Sequence, residues 1–471
     1  MFDVKTMDEV IKIIKTQFIP KEIKSEEIDI SIASGRILAS DIHALEDLPG
    51  FNRSTVDGFA VISSDTFGAG DTMPAQLELL PEVIMGEKPT FSISKGQASP
   101  IPTGGELPEN ADSVVMVEFS EDYNDGFIYL NKSSAPGNHV IFKTDDCKKG
   151  DIVIREGSTI RPQEIGALAA IGVSKIPVYM KPRIAIISTG DEIIDIDENT
   201  NSGAKIRDVN SYVLFAGLLD VGCEPVRYGI VKDDFACLFE KTKRALEECD
   251  MVLISGGSSV GAKDHTCKVI EELYKENHMQ KHLENDMKKH SENNMQNHSQ
   301  NLLEDYRNGD YNHFNEDKNL SVNQSISENQ NLMQNQNSSG VLVHGIAVKP
   351  GKPTILGKVC GKAIIGLPGH PVSAYMIFKT VVVPLICVLK REECKNENTL
   401  EALMKSNYPS NHGREEFMSV TIENENGNTY ATPVFSKSGL ITTLVTAYGY
   451  IHIKRGQEGL SQNEKVKVIL F

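Results

Sequence analysis

Three glycine- and proline-rich loops, each cutting into an apolar run, constrain what this chain can fold into more than any other feature. They are Ser255-Gly-Gly-Ser-Ser-Val-Gly261, Lys349-Pro-Gly-Lys-Pro353 and Gly366-Leu-Pro-Gly-His-Pro-Val-Ser373. The first follows Met251-Val-Leu-Ile254 and precedes a helical pattern from Asp264. Its backbone N–H groups, Gly256, Gly257 and Ser258 among them, are therefore expected at the carboxyl end of a strand, facing the crevice of an open α/β sheet. The second loop holds Lys349 and Lys352 in a segment stiffened by Pro350 and Pro353. The third lets a ligand approach the backbone beside Pro368 and then starts a helix with Ser373 in its first turn. One such loop is ordinary topology; three in succession within one alternating region point to an anion site.

The pattern between these loops reads as a parallel α/β unit. Arg183 to Ser188, Val226 to Val231 and Asp250 to Ser255 read as strands, and Asn210 to Val221, Asp233 to Glu248 and Asp264 to Lys275 as helices. Strand, helix, strand at these spacings implies right-handed crossovers and a sheet covered on both faces. A strand is expected from Val341 to Val348 and a long helix from Pro371 towards Leu389. Between about Glu276 and Gly340 lies a tract of Asn, Gln, Ser, Glu, Lys and His that is too polar to offset the entropy of ordering, and it is expected to be a disordered insertion. Its histidines show no regular ligand spacing.

The flanks differ. Thr6-Met-Asp-Glu9 forms a capping-box pattern ahead of Val10, Ile13, Ile14 and Phe18 at helical spacing. Short strands with Gly/Pro turns then dominate, helical periodicity returns at Pro162 to Ala170, and the end of the chain reads as short strands with Asn/Gly turns. The expected organisation is a discontinuous N-terminal domain, 1–45 with 146–181; an inserted β-rich module, 46–145; an α/β domain, 182–391, interrupted at 276–340; and a C-terminal β barrel or sandwich, 392–471.

Composition narrows the function. A formal charge of −17 argues against nucleic-acid binding, because tracking phosphates needs a basic surface. The 8 cysteines contain no Cys-x-x-Cys pair, which suits a reducing compartment. The N-terminus lacks a signal-peptide pattern, and no apolar run approaches the roughly 20 residues that span a bilayer, so a cytoplasmic location is expected.

Acidic residues follow the predicted strands. Ser188-Thr-Gly-Asp-Glu192 places Glu192 past one strand end, Asp233 and Asp234 follow another, and Asp264 follows the Gly-rich loop. Parallel strands share a direction, so all should gather on one edge of the sheet. Carboxylates beside an anion site suit a divalent cation, typically Mg2+, although helix N-capping accounts for Asp233 and Asp264 individually and does not exclude a ligand role.

These motifs, with Ser54-Thr-Val-Asp-Gly-Phe-Ala60 upstream, closely resemble the molybdopterin molybdenumtransferases, the MoeA and gephyrin E-domain family, over nearly the whole chain apart from the polar tract. The resemblance implies a homodimer of four-domain subunits. Such an enzyme takes adenylylated molybdopterin and molybdate (or tungstate), inserts the metal at the dithiolene sulfurs and releases AMP. By motif match, Lys349 and Lys352 with Pro353 and Ser373 correspond to the substrate and oxyanion pocket, with Arg414 and Ser438 added from the C-terminal domain. Glu192, Asp264 and one of the pair Asp233 and Asp234, taken as Asp233, correspond to the cation and phosphate region. Asp57, Thr103, Glu118 and Asp146 match positions presented by the neighbouring subunit, though Asp57 and Thr103 also suit ordinary tight turns. The molybdopterin adenylyltransferase and recipient molybdoenzymes are the further partners implied. A cofactor carrier, a gephyrin-like scaffold and an adenylyltransferase are the competing readings. This chain departs from the family at His370, where asparagine is usual; with Pro371 beside it, a helix cap is the favoured role.

Overall fold

A computed structural model of the chain describes residues 4–198, 204–256, 265–280, 340–394, 398–410, 413–435 and 439–471. Most of the polar tract therefore lies outside the described residues; its first residues extend the helix that runs through 265–280. The chain divides into two compact units, Met1–Ile23 with Lys181–Phe471, and Lys24–Met180.

The first unit is built on a six-stranded sheet ordered Glu224–Val231, Arg183–Thr189, Met251–Ser255, Lys362–Leu367, Ile355–Val359 and Val341–His344. The first four strands are parallel. The last two are antiparallel, so the sheet is mixed where a parallel one was expected. The cause is local. Cys360 and Gly361, both at positive φ, join Ile355–Val359 to Lys362–Leu367 by a two-residue hairpin, and a parallel crossover needs a far longer connection.

Continuous apolar runs in the parallel strands place successive side chains on opposite faces, and both faces are buried. Ile184, Ile186, Leu253 and Ile365 enter one core, while Ala185, Ile187, Ile254 and Ile364 enter the other. The opening helix, Met7–Gln17, starts with the capping box read from Thr6 and Glu9. Its apolar stripe of Met7, Val10, Ile14 and Phe18 joins the first of these cores. Residues 1–23 thus belong with the α/β unit, because that is where the stripe is buried, and not with 146–181 as the sequence pattern led one to expect.

The segment Pro371–Leu389 is long and apolar enough, by length and composition, to cross a membrane, which the sequence reading missed. Its apolarity has a packing explanation: Met376, Ile377, Phe378, Val381, Val382, Leu385 and Ile386 are all buried in the α/β core. It is not one regular helix. Pro371–Ile377 and Val383–Leu389 flank a π-helical stretch, Phe378–Val382, just ahead of Pro384, which has no N–H to give to the preceding turn.

Beyond it, the strands Glu415–Glu425, Asn428–Pro433, Thr399–Met404, Lys465–Leu470 and Gly449–Ile453 pair in that order, and the last pairs back to the first. Closure makes a five-stranded barrel, with Met404, Val420, Ile451 and Val468 in its interior. The short strand Val348–Lys349 pairs with the start of Glu415–Glu425, which ties the lysine loop to the barrel.

In the Lys24–Met180 unit, Ser25–Asp29 pairs with Lys175–Tyr179, Ile42–His43 pairs with Ile152–Ile154, and the helix Pro162–Ala170 covers their shared core. The intervening chain forms a six-stranded sheet with a core on each face.

Candidate functional site

The carboxyl ends of the parallel strands lie side by side: Thr189 is in register with Val231, Ser188 with Ser255, and Ser255 with Leu367. The segments carrying Glu192, Asp233, Gly256 and Pro368 therefore leave the sheet at one edge. Their crossing is tight. Gly256 has φ 114°, and a Cβ there would lie 2.1 Å from the Thr189 carbonyl oxygen, so only glycine fits. Gly257, Ser258 and Asp264 lie outside the described residues.

The two adjacent aspartates have separate jobs. Asp234 caps the helix Phe235–Glu248 by accepting from the Cys237 N–H at 2.8 Å, which holds its carboxyl below the ordinary range. Asp233 does not cap. Its Oδ1 accepts from the Thr189 hydroxyl at 2.8 Å, and its backbone N–H donates to Asp191 at 3.3 Å, which keeps it at the strand edge. Glu192 is exposed on the same edge.

Behind this edge lies a buried polar layer that sequence reasoning passed over. Asp208 accepts from the Ser188 hydroxyl at 2.7 Å and from the Ser211 N–H at 3.0 Å. Asn210 donates from Nδ2 to the Ser255 hydroxyl at 2.8 Å and to the Gly369 carbonyl at 2.9 Å. Its Oδ1 is buried with no partner among the described residues. The signal was Asp208-Val-Asn210 at a helix start, which reads as capping until the long-range partners are seen.

The lysine loop packs on the helix that follows this edge and pairs with the barrel. Gly351, at φ 116°, packs so closely on the helix Pro371–Ile377 that a Cβ would lie 2.5 Å from Ile377 Cδ1. The Thr354 hydroxyl donates to the Gly351 carbonyl at 2.7 Å. Lys349 is 2.7 Å from Oε1 of Glu416, a residue that is only 4% exposed. The same carboxylate accepts from Tyr408 at 2.6 Å and from Ser410 at 2.8 Å. Burial pushes the Glu416 carboxyl up, but the bonds from Lys349, Tyr408 and Ser410 outweigh it and leave it below the ordinary range. Burial, followed by the bond to Glu416, raises Tyr408. Lys352 and Pro353 are half-buried, and Lys352 makes no ion pair among the described residues.

Pro368 and Ser373 are buried, Ser373 in the first turn of its helix. His370 holds the N-cap position with Pro371 at the helix start, but its side chain does not cap the helix, which corrects the role favoured from sequence. Arg414 is exposed immediately ahead of the Glu415–Glu425 strand. Ser438 lies outside the described residues. A Cβ at nearby Gly439 would lie 3.8 Å from His370 Cδ2, so this barrel loop adjoins the helix start.

In the Lys24–Met180 unit, Asp57 Oδ1 accepts from both the N–H and the hydroxyl of Thr103, at 2.7 and 2.9 Å. The backbone bond and then the hydroxyl bond hold its carboxyl below the ordinary range. Glu118 follows Val117, whose N–H donates to the Asp57 carbonyl at 3.0 Å. These three are thus neighbours, all exposed. Asp146 is exposed on a separate turn, where its N–H donates to the Leu48 carbonyl at 3.1 Å.

Among the described residues, no group of three His, Cys, Asp or Glu side chains gathers to hold a metal ion. The oxygens present instead suit the usual mode of Mg2+, one or two carboxylates shared with substrate phosphates. None of the cysteines forms a disulfide among the described residues.

Comparison with known proteins accounts for almost every segment. Residues 5–172 match the MoeA N-terminal region (domain I and II), 185–301 and 330–387 match a "Probable molybdopterin binding domain", and 401–471 match the MoeA C-terminal region (domain IV). A Methanocaldococcus jannaschii protein named for molybdopterin biosynthesis is 31% identical over 100% of this chain and 98% of its own length. The molybdopterin molybdenumtransferase of Bacillus subtilis is 25% identical over 96% of this chain and 91% of its own. The crystal structure of a molybdopterin biosynthesis MoeA protein from Pyrococcus horikoshii superposes with a TM-score of 0.74 at 31% identity, covering 99% of each chain. The chain belongs to the MoeA family.

Proposed function

We propose that this protein is the molybdenum transferase of molybdenum cofactor assembly, acting on adenylylated molybdopterin and molybdate and releasing AMP. The observation that carries the reading is the meeting of the lysine loop with the sheet edge. Gly351 seats the loop against the helix that begins at Pro371, and Asn210 ties that helix's leading turn to Ser255 through the Gly369 carbonyl. On this reading the lysine loop, the buried dipoles and the edge carboxylates face one crevice, an arrangement that would lower the barrier for moving an anionic group.

Within this reading each residue type has a task. Lys352, half-buried and without an ion pair among the described residues, meets the phosphate or the oxyanion. Ser373 and the unpartnered Asn210 Oδ1 supply polar contacts to the pterin side. Asp233 and Glu192 are the residues that would hold Mg2+ there, and a bound ion would supply charge neutralisation to the phosphoanhydride. Asp57, Thr103 and Glu118 form a second cluster, which completes the site when donated by the other subunit of a homodimer. A scaffold has no evident use for such a lysine, and a carrier, which could use it to bind the cofactor, would not release AMP in response to molybdate. Purified protein is incubated with adenylylated molybdopterin, Mg2+ and molybdate, and AMP is measured. Release that requires both the metal oxyanion and Mg2+ supports the proposal; release indifferent to molybdate refutes it.

A further inference from the structure

Lys349 and Lys352 sit three residues apart in one loop, yet their surroundings are opposite. Lys352 makes no ion pair among the described residues, while Lys349 is bound to a carboxylate that is almost wholly buried in the barrel. Glu416 is not free to adapt to its partner. Oε1 accepts from Tyr408 and Oε2 from Ser410, so both oxygens are fixed by barrel residues before the lysine is considered. The backbone adds a second constraint, because Lys349 and Glu416 are register partners in the pairing of Val348–Lys349 with Glu415–Glu425.

The lysine is nonetheless not sequestered. Its side chain is 49% exposed, and an ammonium that gives one N–H to Glu416 keeps two more for another acceptor. Arg414, two residues ahead of Glu416, is exposed at the same strand start.

We infer that Glu416 is a positioning residue: a buried barrel carboxylate that fixes the Lys349 ammonium at the crevice so that its remaining N–H groups are set for an oxyanion. The inference rests on the proposed anion site at the lysine loop. It extends that reading by giving the C-terminal barrel a definite part in it, and by dividing the two lysines into one that is anchored and one that is unpaired.

The test is Glu416→Gln, which keeps the shape and removes the charge. Molybdate binding is measured by calorimetry on the full chain, and AMP release is measured against molybdate concentration. The expected result is a weakening of molybdate binding and a rise in KM for molybdate of about tenfold, with kcat falling less than about threefold, as for a group acting through ground-state binding. Unchanged molybdate affinity and KM overturn the inference. Because the buried Glu416 carboxylate also supports the fold, the double variant Lys349→Met, Glu416→Met supplies a control that removes both charges together. A folded double variant with weakened molybdate binding shows that Lys349 meets the oxyanion, as the inference requires, and one that binds molybdate as the wild type does overturns it. Calorimetry does not depend on turnover. A wild type that binds molybdate but releases no AMP sinks the proposed reaction, while the binding shift in Glu416→Gln still decides this point.

Discussion

The sheet edge of the α/β unit and the exposed turns of the Lys24–Met180 unit hold their candidate residues by opposite means. At the edge, Gly256 crosses Thr189 with no room for a Cβ, and in the barrel of the same unit Glu416 is buried under three donors. In the other unit, Asp57 and Thr103 are exposed and satisfy each other within a turn. The contrast teaches where function can be read cleanly. At the edge, the atoms that build the site also hold the fold together, so most substitutions disturb both. In the exposed turns, and at Lys352, which makes no ion pair among the described residues, the fold asks little of the side chain, and a loss of activity reports on chemistry.

That contrast can be broken in order of effect. Lys352→Ala should lower AMP release by about 10²–10³-fold, the usual loss for one preorganised electrostatic group. Its stability in urea should stay within about 0.5 kcal/mol of wild type; a large loss of stability would place this lysine with the structural residues. Gly256→Ala should do the reverse first, costing about 3 kcal/mol in urea unfolding because backbone must move. A stable Gly256→Ala protein would show that the crossing is looser than its geometry implies.

Asp57→Ala paired with Lys352→Ala in purified heterodimers sharpens the other side. If sites are shared across a two-fold axis, one site is intact and the other carries both changes, so about half of wild-type activity should return. Activity no higher than in either mutant homodimer would mean that each chain builds its own site.

The smallest effect concerns pH. The Glu416 carboxyl lies below its ordinary value in the folded chain, so the stability it contributes is fully present above the unfolded value and is lost as pH falls through the folded one. Lys349→Met removes the cation that lowers it, so acid titration of stability should lose most of this component. Identical acid profiles for the two proteins would show that the ion pair contributes nothing measurable.

Legibility followed the range of the interactions. The capping box of Thr6 and Glu9 is a contact between residues one turn apart, and it was readable as such. Continuous apolar runs at Arg183–Thr189 and Met251–Ser255 announced strands buried on both faces. What escaped depended on distance along the chain. Ser188 and Asp208 are 20 residues apart, and Asn210 reaches Gly369 across 159, so neither the buried polar layer nor its unpartnered Oδ1 leaves a local pattern. Glu416 stands in a charged run, Arg414 to Glu416, that carries no local sign of its burial in the barrel. The antiparallel edge was missed because the Cys360–Gly361 turn is a two-residue signal overshadowed by the loops on either side. His370 marks a third limit: sequence gave its position at the helix start correctly and its side-chain role incorrectly.

The central claim is that the lysine loop and the sheet edge make one oxyanion crevice. Tungstate soaked into crystals of the protein tests it directly, because the metal's anomalous signal locates the ion without reference to activity. The account predicts a peak within hydrogen-bonding reach of Lys352 and beside Ser373. Tungstate bound only at sites remote from both would contradict it.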